Sequence, residues 1–468
     1  MSRNADIPVP VGGPATQSGH PVTRMIPAST WALVEPRISE DAKQKLARLV
    51  DFVEKECIPA EAIYAAQISP HPEDRWKSTP AIMEELKKKA RAIGLWNLFL
   101  SKAHYPDYGI DLTNLEYSIM AEVMGRSFIA PEACNCSAPD TGNMEVFARY
   151  GTTAQKKKWL EPLLDGKIRS AFSMTERYVA SSDATNIKLS IKRENGEIVV
   201  NGLKWWISGA GDPRCAVHLV MGQSDPTNAD PYKRQSIVIV PANTPGVKLV
   251  RPCTIMGQDD APEGHMEVLY ENVRVPEENI IAGWSRGFEV IQGRLGPGRI
   301  HHCMRTIGVA QRALDLMITR VTDSSRKTFG KQLSEHGVVI AKVAESRMEI
   351  EQARLLVLVA AMQIDAVRAK GALREIGISK AIVPQMALNV IDRAMQMFGA
   401  EGMSQHTPLA NMWTHIRTLR YADGPDEVHI QQIGKNELKR ASELRKVLEE
   451  QAKKQAELFK SNNIKSKL

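Results

Sequence analysis

The chain reads as an α+β protein with an N-terminal helical domain, a central antiparallel β domain and a C-terminal helix bundle. Three observations predict it. Helical apolar periodicity begins near Ser39 and lasts to about Gly166. From Ser170 to about Val275 it gives way to short β-rich runs broken by turn residues. After Gly287 the helical pattern returns. With 468 residues there is chain enough for two or three such units.

Residues 1–30, rich in Pro and Gly without apolar periodicity, read as a flexible arm. The helical unit follows over 31–169. Ser39 is a good N-cap for a helix running through Leu46, Val50 and Val53 to about Cys57. Further helices are expected over 80–93, 114–124 and 153–164. Ser78-Thr79-Pro80 and Gly151-Thr152-Thr153 serve as starts. The β unit covers 170–286. Strands are expected at Ile198–Val200, Ala216–Val220, Ser236–Val240 and Glu267–Tyr270, with Asn195-Gly196 and Asn201-Gly202 as hairpin turns. The bundle covers 287–443, with long helices over 299–322, 338–369 and 378–398, the last begun, kinked or interrupted at Pro384. Residues 444–468 form a charged tail, helical from about Glu437 to Lys460, solvated or packed on another subunit.

The net charge of +7 is modest; it suits an anionic small molecule and does not point to nucleic acid. No apolar run is long enough to span a bilayer, and no signal pattern opens the chain. The six cysteines lack metal-like Cys-x-x-Cys spacing, so reduced thiols and no metal site are expected. The final Ser466-Lys467-Leu468 matches the address read by the peroxisomal import receptor.

The stretch Ala171–Glu176 reads as a strand edge offering hydroxyls and main-chain amides. Lys204–Ser208 answers it with two indoles, Trp205 and Trp206, expected on opposite faces of a strand. A planar, electron-poor ring suits such a site; a buried strand with a core tryptophan fits the same residues.

Five separated motifs resemble the acyl-CoA dehydrogenase family, in the family's order, from about Glu40 to Glu443. They are Gly151-Thr152 with Gln155-Lys156 and Trp159-Leu160; Phe172–Glu176; Trp206-Ile207-Ser208; Arg326–Gly330; and Gln396–Gly402. Ala138–Asn143, Ala180–Asn186 and Ala422–His429 are most similar to the branch whose animal members are the multidomain acyl-CoA dehydrogenases 10 and 11, and to their dehydrogenase part only.

The resemblance implies FAD as cofactor, an acyl-CoA substrate and a homodimer or homotetramer. It places Asp423 as the base that removes the α proton, where most members carry glutamate, and Arg299 as the arginine that steadies the active-site loop. Taken alone, Asp423-Gly-Pro-Asp-Glu427 is equally a good turn into a helix. Some relatives carry the base near the start of the first bundle helix; here that position is Gly298. The resemblance assigns Phe172, Met174, Thr175, Trp206 and Ser208 to the flavin ring, and Ser181 or Ser182 to pantetheine or phosphate. It assigns Arg326, Phe329, Gln396, Gly399, Pro425 and Glu427 to the nucleotide, partly from a second subunit. His301 and His302 read as packing or CoA-side residues. Burial beside the ring is expected to raise the Asp423 pKa, a helix start to oppose that.

Three departures stand out. Arg177-Tyr178 replaces the branch's usual Pro-Asp, Gly337 a common glutamine and Ala400 a common glycine. The activity implied is α,β-dehydrogenation of an acyl-CoA in peroxisomal metabolism. The alternatives are a flavoprotein oxidase of a small non-CoA carbon acid and a non-catalytic flavoprotein that binds nucleic acid.

Overall fold

The computed structural model describes residues 19–464. Its first unit is helical: α1 (Ala28–Val34), α2 (Glu40–Phe52), α3 (Ile58–Gln67), α4 (Ala81–Ala92), α5 (Asn114–Gly125), α6 (Ala130–Ala133), α7 (Asp140–Tyr150), α8 (Thr153–Gln155) and α9 (Glu161–Leu164). Ser39 caps α2, its hydroxyl accepting from the Ala42 amide, and Thr152 forms a capping box with Gln155. The helix does not stop at Cys57: a π-helical turn, Val53–Cys57, carries α2 into α3.

The flexible arm needs correction in its second half. Val22, Ile26 and Trp31 are buried in the main core, and His20 stacks on Trp31 at 4.8 Å. Too few apolar residues lie here for a period to show, yet Val22, Met25 and Ile26 are all buried. The first eighteen residues lie outside the described ones, as does Ser466-Lys467-Leu468.

One seven-stranded sheet forms the middle: β1 (Arg169–Ser173), β2 (Ser190–Glu194), β3 (Glu197–Ser208), β4 (Cys215–Gln223), β5 (Gln235–Pro241), β6 (Val247–Cys253) and β7 (His265–Pro276). The order is β1-β4-β2-β3-β7-β6, with β5 also on β4. The sheet is mixed rather than wholly antiparallel, because β1 runs parallel to β4 with Phe172 opposite Leu219. The loop after β1 and the β2–β3 hairpin supply the long return that a parallel pair needs. Asn195-Gly196 turns that hairpin, with φ of 52° and 81°. Asn201-Gly202 does not turn; it lies inside β3, where the register with β7 shifts.

The last unit holds α10 (Gly287–Val321), the short strands β8 (Lys327–Thr328) and β9 (Lys331–Gln332), then α11 (Gly337–Gly371), α12 (Leu373–Phe398), α13 (Leu409–Thr418), α14 (Asp426–Leu438) and α15 (Ala441–Ser461). α10 starts well before Arg299, because the Gly296-Pro297-Gly298 run that reads as a breaker lies inside it. α12 runs through Pro384 rather than beginning or ending there. α11 is broken near its end at Arg368, with φ 61°.

Two devices fix the frame. α5 and α10 cross backbone to backbone: a Cβ on Gly125 would lie 1.9 Å from the Arg305 carbonyl oxygen, and one on Gly308 1.9 Å from that of Glu122. Buried Arg354 of α11 donates to Glu122 of α5 at 2.8 Å, and Arg169 of β1 joins Glu132 and Asp140 at 2.5 and 2.8 Å. Such buried pairs specify one arrangement more than they add stability. By contrast, no residue of α15 is buried. All six cysteines are free thiols, and Cys134 and Cys136 pack inside a loop.

Candidate active site

The chain between α13 and α14 carries Asp423 in the left-handed region, at φ 57°, followed by Gly424 at φ 110°. A non-glycine residue there persists only where its surroundings hold it. Arg299 Nε of α10 donates to the Asp423 carbonyl at 2.8 Å. Lys380 of α12, wholly buried, sends its ammonium to the Leu419 and Gly424 carbonyls. Arg420 donates to Asp426, at the start of α14, at 2.6 Å. Three elements thus fix one aspartate.

Its carboxylate, with the side chain 15 % exposed, lies 3.9 Å from Arg294 Nη1 and 3.6 Å from His302 Nε2. Burial works to raise its pKa, but the surrounding cationic field wins and holds it below the usual carboxylate range, contrary to the expected rise. His302 is itself held at about 4 by burial and the Arg305 charge. At neutral pH it is therefore a neutral imidazole, and the charges that then face the carboxylate are those of Arg294, Arg299 and Lys380. A Cβ on Gly298 would lie 2.9 Å from Asp423 Oδ2, so the other position considered for a base converges on the same carboxylate.

Arg294 also links Asp423 to the sheet, because its guanidinium lies 4.1 Å over the Phe172 ring of β1. Beyond Phe172, Thr175 donates its hydroxyl to the Trp205 carbonyl at 2.6 Å and accepts from the Trp205 amide at 3.1 Å. Lys204, fully buried, bonds the Met174 carbonyl at 2.6 Å and Glu176 at 2.9 Å. Burial lowers its pKa to about 8, against the pull of Glu176. The β1 edge and the end of β3 are thereby one unit.

The two indoles are not on opposite faces. Trp206 takes φ 56° at a register shift in β3, and the rings meet edge to face at 6.1 Å. Trp206 is 40 % exposed and stands 5.4 Å from His265, which also bonds Ser208 Oγ at 2.8 Å. The Ser181 hydroxyl is engaged with the Glu176 main chain at 2.9 and 3.2 Å, while Ser182 is exposed.

The remaining predicted residues lie at the β8–β9 turn, at the end of α12 and at the start of α14. Arg326 lies 3.6 Å from Glu401, in the turn that begins at Gly399. Phe329 tips the β8–β9 turn and is 97 % exposed. Gln396 and Gly399 are exposed; Pro425 caps α14 and Glu427 is exposed in its first turn. Of the departures, Gly337 has open space around it, and Arg177 lies 3.5 Å from Glu267.

Three residues at the carboxylate or in the field of Arg294 escaped the sequence reading, Arg294, Lys380 and Glu145, while His302 was read only as a packing or CoA-side residue. None belongs to a motif, and all three come from helix interiors far from Asp423 in the chain. His301 is a packing residue, edge-on to Tyr117 at 4.9 Å, whereas His302 faces the aspartate.

The acyl-CoA dehydrogenase N-terminal, middle and C-terminal domains match residues 39–167, 171–273 and 285–438. The chain belongs to the acyl-CoA dehydrogenase family. It is 53 % identical to acyl-CoA dehydrogenase family member 10 of Mus musculus over 88 % of its length and 38 % of that protein. It is 51 % identical to the probable acyl-CoA dehydrogenase FadE2 of Mycobacterium tuberculosis, over 84 % of this chain and 94 % of that one. The chain spans about half or less of the multidomain relatives, 51 % of chicken family member 11 among them. A solved Mycobacterium abscessus structure assigned to the acyl-CoA dehydrogenases superposes with a TM-score of 0.82 at 46 % identity, covering 86 % of this chain and 99 % of that one. Butyryl-CoA dehydrogenase of Megasphaera elsdenii, 24 % identical, shares the fold at a TM-score of 0.71, with 86 % and 99 % coverage.

FAD is the cofactor of this family, and the residues fit it. The exposed Trp206 face and the hydroxyls of Ser208 and Thr175 lie on the joined ends of β1 and β3. A planar ring bearing polar edge atoms is matched by an aromatic face with hydroxyls beside it.

Proposed function

We propose that this chain catalyses FAD-dependent α,β-dehydrogenation of an acyl-CoA thioester. Bound FAD supplies the acceptor for the β hydride. Asp423 takes the α proton. Arg299 and Lys380 hold its loop, so that the shorter aspartate presents its carboxylate at a fixed place. Phe172, Met174, Thr175, Trp206 and Ser208 hold the ring, and Ser182, with its hydroxyl exposed, is better suited than Ser181 to a pantetheine or phosphate. Arg326, Phe329, Gln396 and Gly399 serve the nucleotide of a neighbouring subunit, with Pro425 and Glu427 beside the base, which makes the working unit at least a dimer. The observation that carries the reading is an ionised, nearly buried carboxylate fixed on a strained loop among three cations.

The test is spectral. The purified protein should carry a yellow flavin band that bleaches without oxygen on adding an acyl-CoA. A flavin band that no thioester bleaches would overturn the assignment. Ser466-Lys467-Leu468 supports a peroxisomal location. Deleting these three residues should leave a tagged protein in the cytosol, and unchanged location would refute the address. In that compartment oxygen is the proposed electron acceptor, so turnover should yield peroxide; dye reduction without peroxide would point to a carrier instead.

A further inference from the structure

We infer that α15 pairs antiparallel with α15 of a second copy of this chain. The inference stands apart from the dehydrogenase reading and concerns a helix of 21 residues, none of them buried.

A helix draws most of its stability from packing an apolar face, and α15 has such a face with nothing on it. Leu444, Leu448 and Leu458 lie along it and are 47, 63 and 52 % exposed. Gln451 and Gln455 fall in the middle of the same stripe. From Leu444 through Leu448, Gln451 and Gln455 to Leu458 the steps are four, three, four and three residues, the spacing of a coiled-coil seam. The other sides of the helix carry four Glu against five Lys and Arg. So balanced a polar face does not suit an anionic lipid surface, and two glutamines within the apolar stripe suit it less.

The stripe is complementary to itself. Set antiparallel, with Gln451 of one helix opposite Gln455 of the second copy, it brings Leu448 against Leu458 of the second copy in the layers outside. Glutamine then bonds glutamine at the centre and leucine packs on leucine to either side. A polar pair inside such a seam fixes its register. The charges set the direction. Glu449-Glu450 and Lys453-Lys454 are neighbouring blocks of opposite sign. Antiparallel pairing lays the acidic block of each helix beside the basic block of the other, whereas parallel pairing in register lays like charge on like. The helix dipoles are also opposed in the antiparallel pair. Within the chain Lys454 reaches Glu457 at 3.1 Å, and among the described residues Glu449, Glu450 and Lys453 have no ion pair.

The test uses the full-length, FAD-loaded protein. Sedimentation over a dilution series gives the subunit dissociation constant. The double variant Leu448→Glu, Leu458→Glu should raise it by about tenfold or more, with flavin content and helical circular dichroism retained, because neither leucine packs against its own chain. An unchanged constant would overturn the inference. Cross-linking tests the register against the low background of six covered thiols. Gln451→Cys and Gln455→Cys are oxidised singly and after co-expression. Disulfide-linked dimers should form from the co-expressed pair and from neither variant alone, since only unlike positions face each other. Linked dimers from a single variant would show parallel pairing, and no linked dimer in any sample would show no pairing; either overturns the inference. Flotation with vesicles of phosphatidylcholine and phosphatidylserine tests the lipid reading. The protein should stay unbound, and flotation that the double variant abolishes would assign the face to a membrane instead.

Discussion

Asp423 combines two properties rarely found together, a covered carboxylate and a depressed pKa. The usual effect of burial is to protonate such a group; here the charges of His302, Arg294, Arg299 and Lys380, in that order, outweigh it. The base is therefore charged across the physiological range, and the acid limb of kcat/KM should lie below the ordinary carboxylate value near 3.8. The same shift has a stability sign. A depressed folded pKa contributes stability above the unfolded value, and that contribution is lost as pH falls through the folded value. Asp423→Asn should keep the flavin absorbance and lose about 10²- to 10⁴-fold in turnover, read by stopped-flow bleaching. Undiminished turnover would remove the assignment. Gly298→Ala should also lower the bleaching rate with FAD retained, because its Cβ would crowd Oδ2 at 2.9 Å. Little of this was legible beforehand. Locally, Asp423 is only a turn into α14; family order made it a base, and its cations come from α10 and α12.

At the scale of elements, the periodic helices were readable from an apolar face, and β4 and β5 from continuous apolar runs buried on both sides. The failures have physical causes. The start of α10 was missed because Gly296, Pro297 and Gly298 ordinarily break helices, and here they lie inside it, with Gly298 against Asp423. Asn201-Gly202 imitates a hairpin turn, but its glycine lies against Leu189, where a Cβ would be 2.9 Å from the side chain. The crossing of α5 and α10 also depends on glycines whose role no local pattern reveals. Gly308→Ala should force these helices apart and cost about 1–3 kcal/mol or more in urea unfolding. Gly434→Ala in α14, with open space around it, should be neutral or stabilise by up to about 1 kcal/mol. Equal melting of the two variants would contradict the tight crossing.

Across the whole molecule, the three-part plan was legible from texture alone, whereas its joints were not. Arg169 with Glu132 and Asp140, and Arg354 with Glu122, join units whose sequences carry no mark of each other. The helix α15 lies beyond the segment that matches the family and buries none of its residues. The cysteines are distributed with an opposite economy. Four are buried and two partly covered, and burial raises the pKa of all six, with Cys136 and Cys303 reaching about 12. Native protein should react slowly with a thiol reagent, Cys253 first, and release all six equivalents only after unfolding in guanidinium. Rapid titration of several thiols in the native state would contradict the packing. Peroxide attacks thiolates, and this fold keeps its six thiols protonated and buried or partly covered. If oxygen is the acceptor, as proposed above, peroxide formed at the flavin should meet no ready thiolate in the folded chain, and cysteine oxidation should follow unfolding rather than precede it.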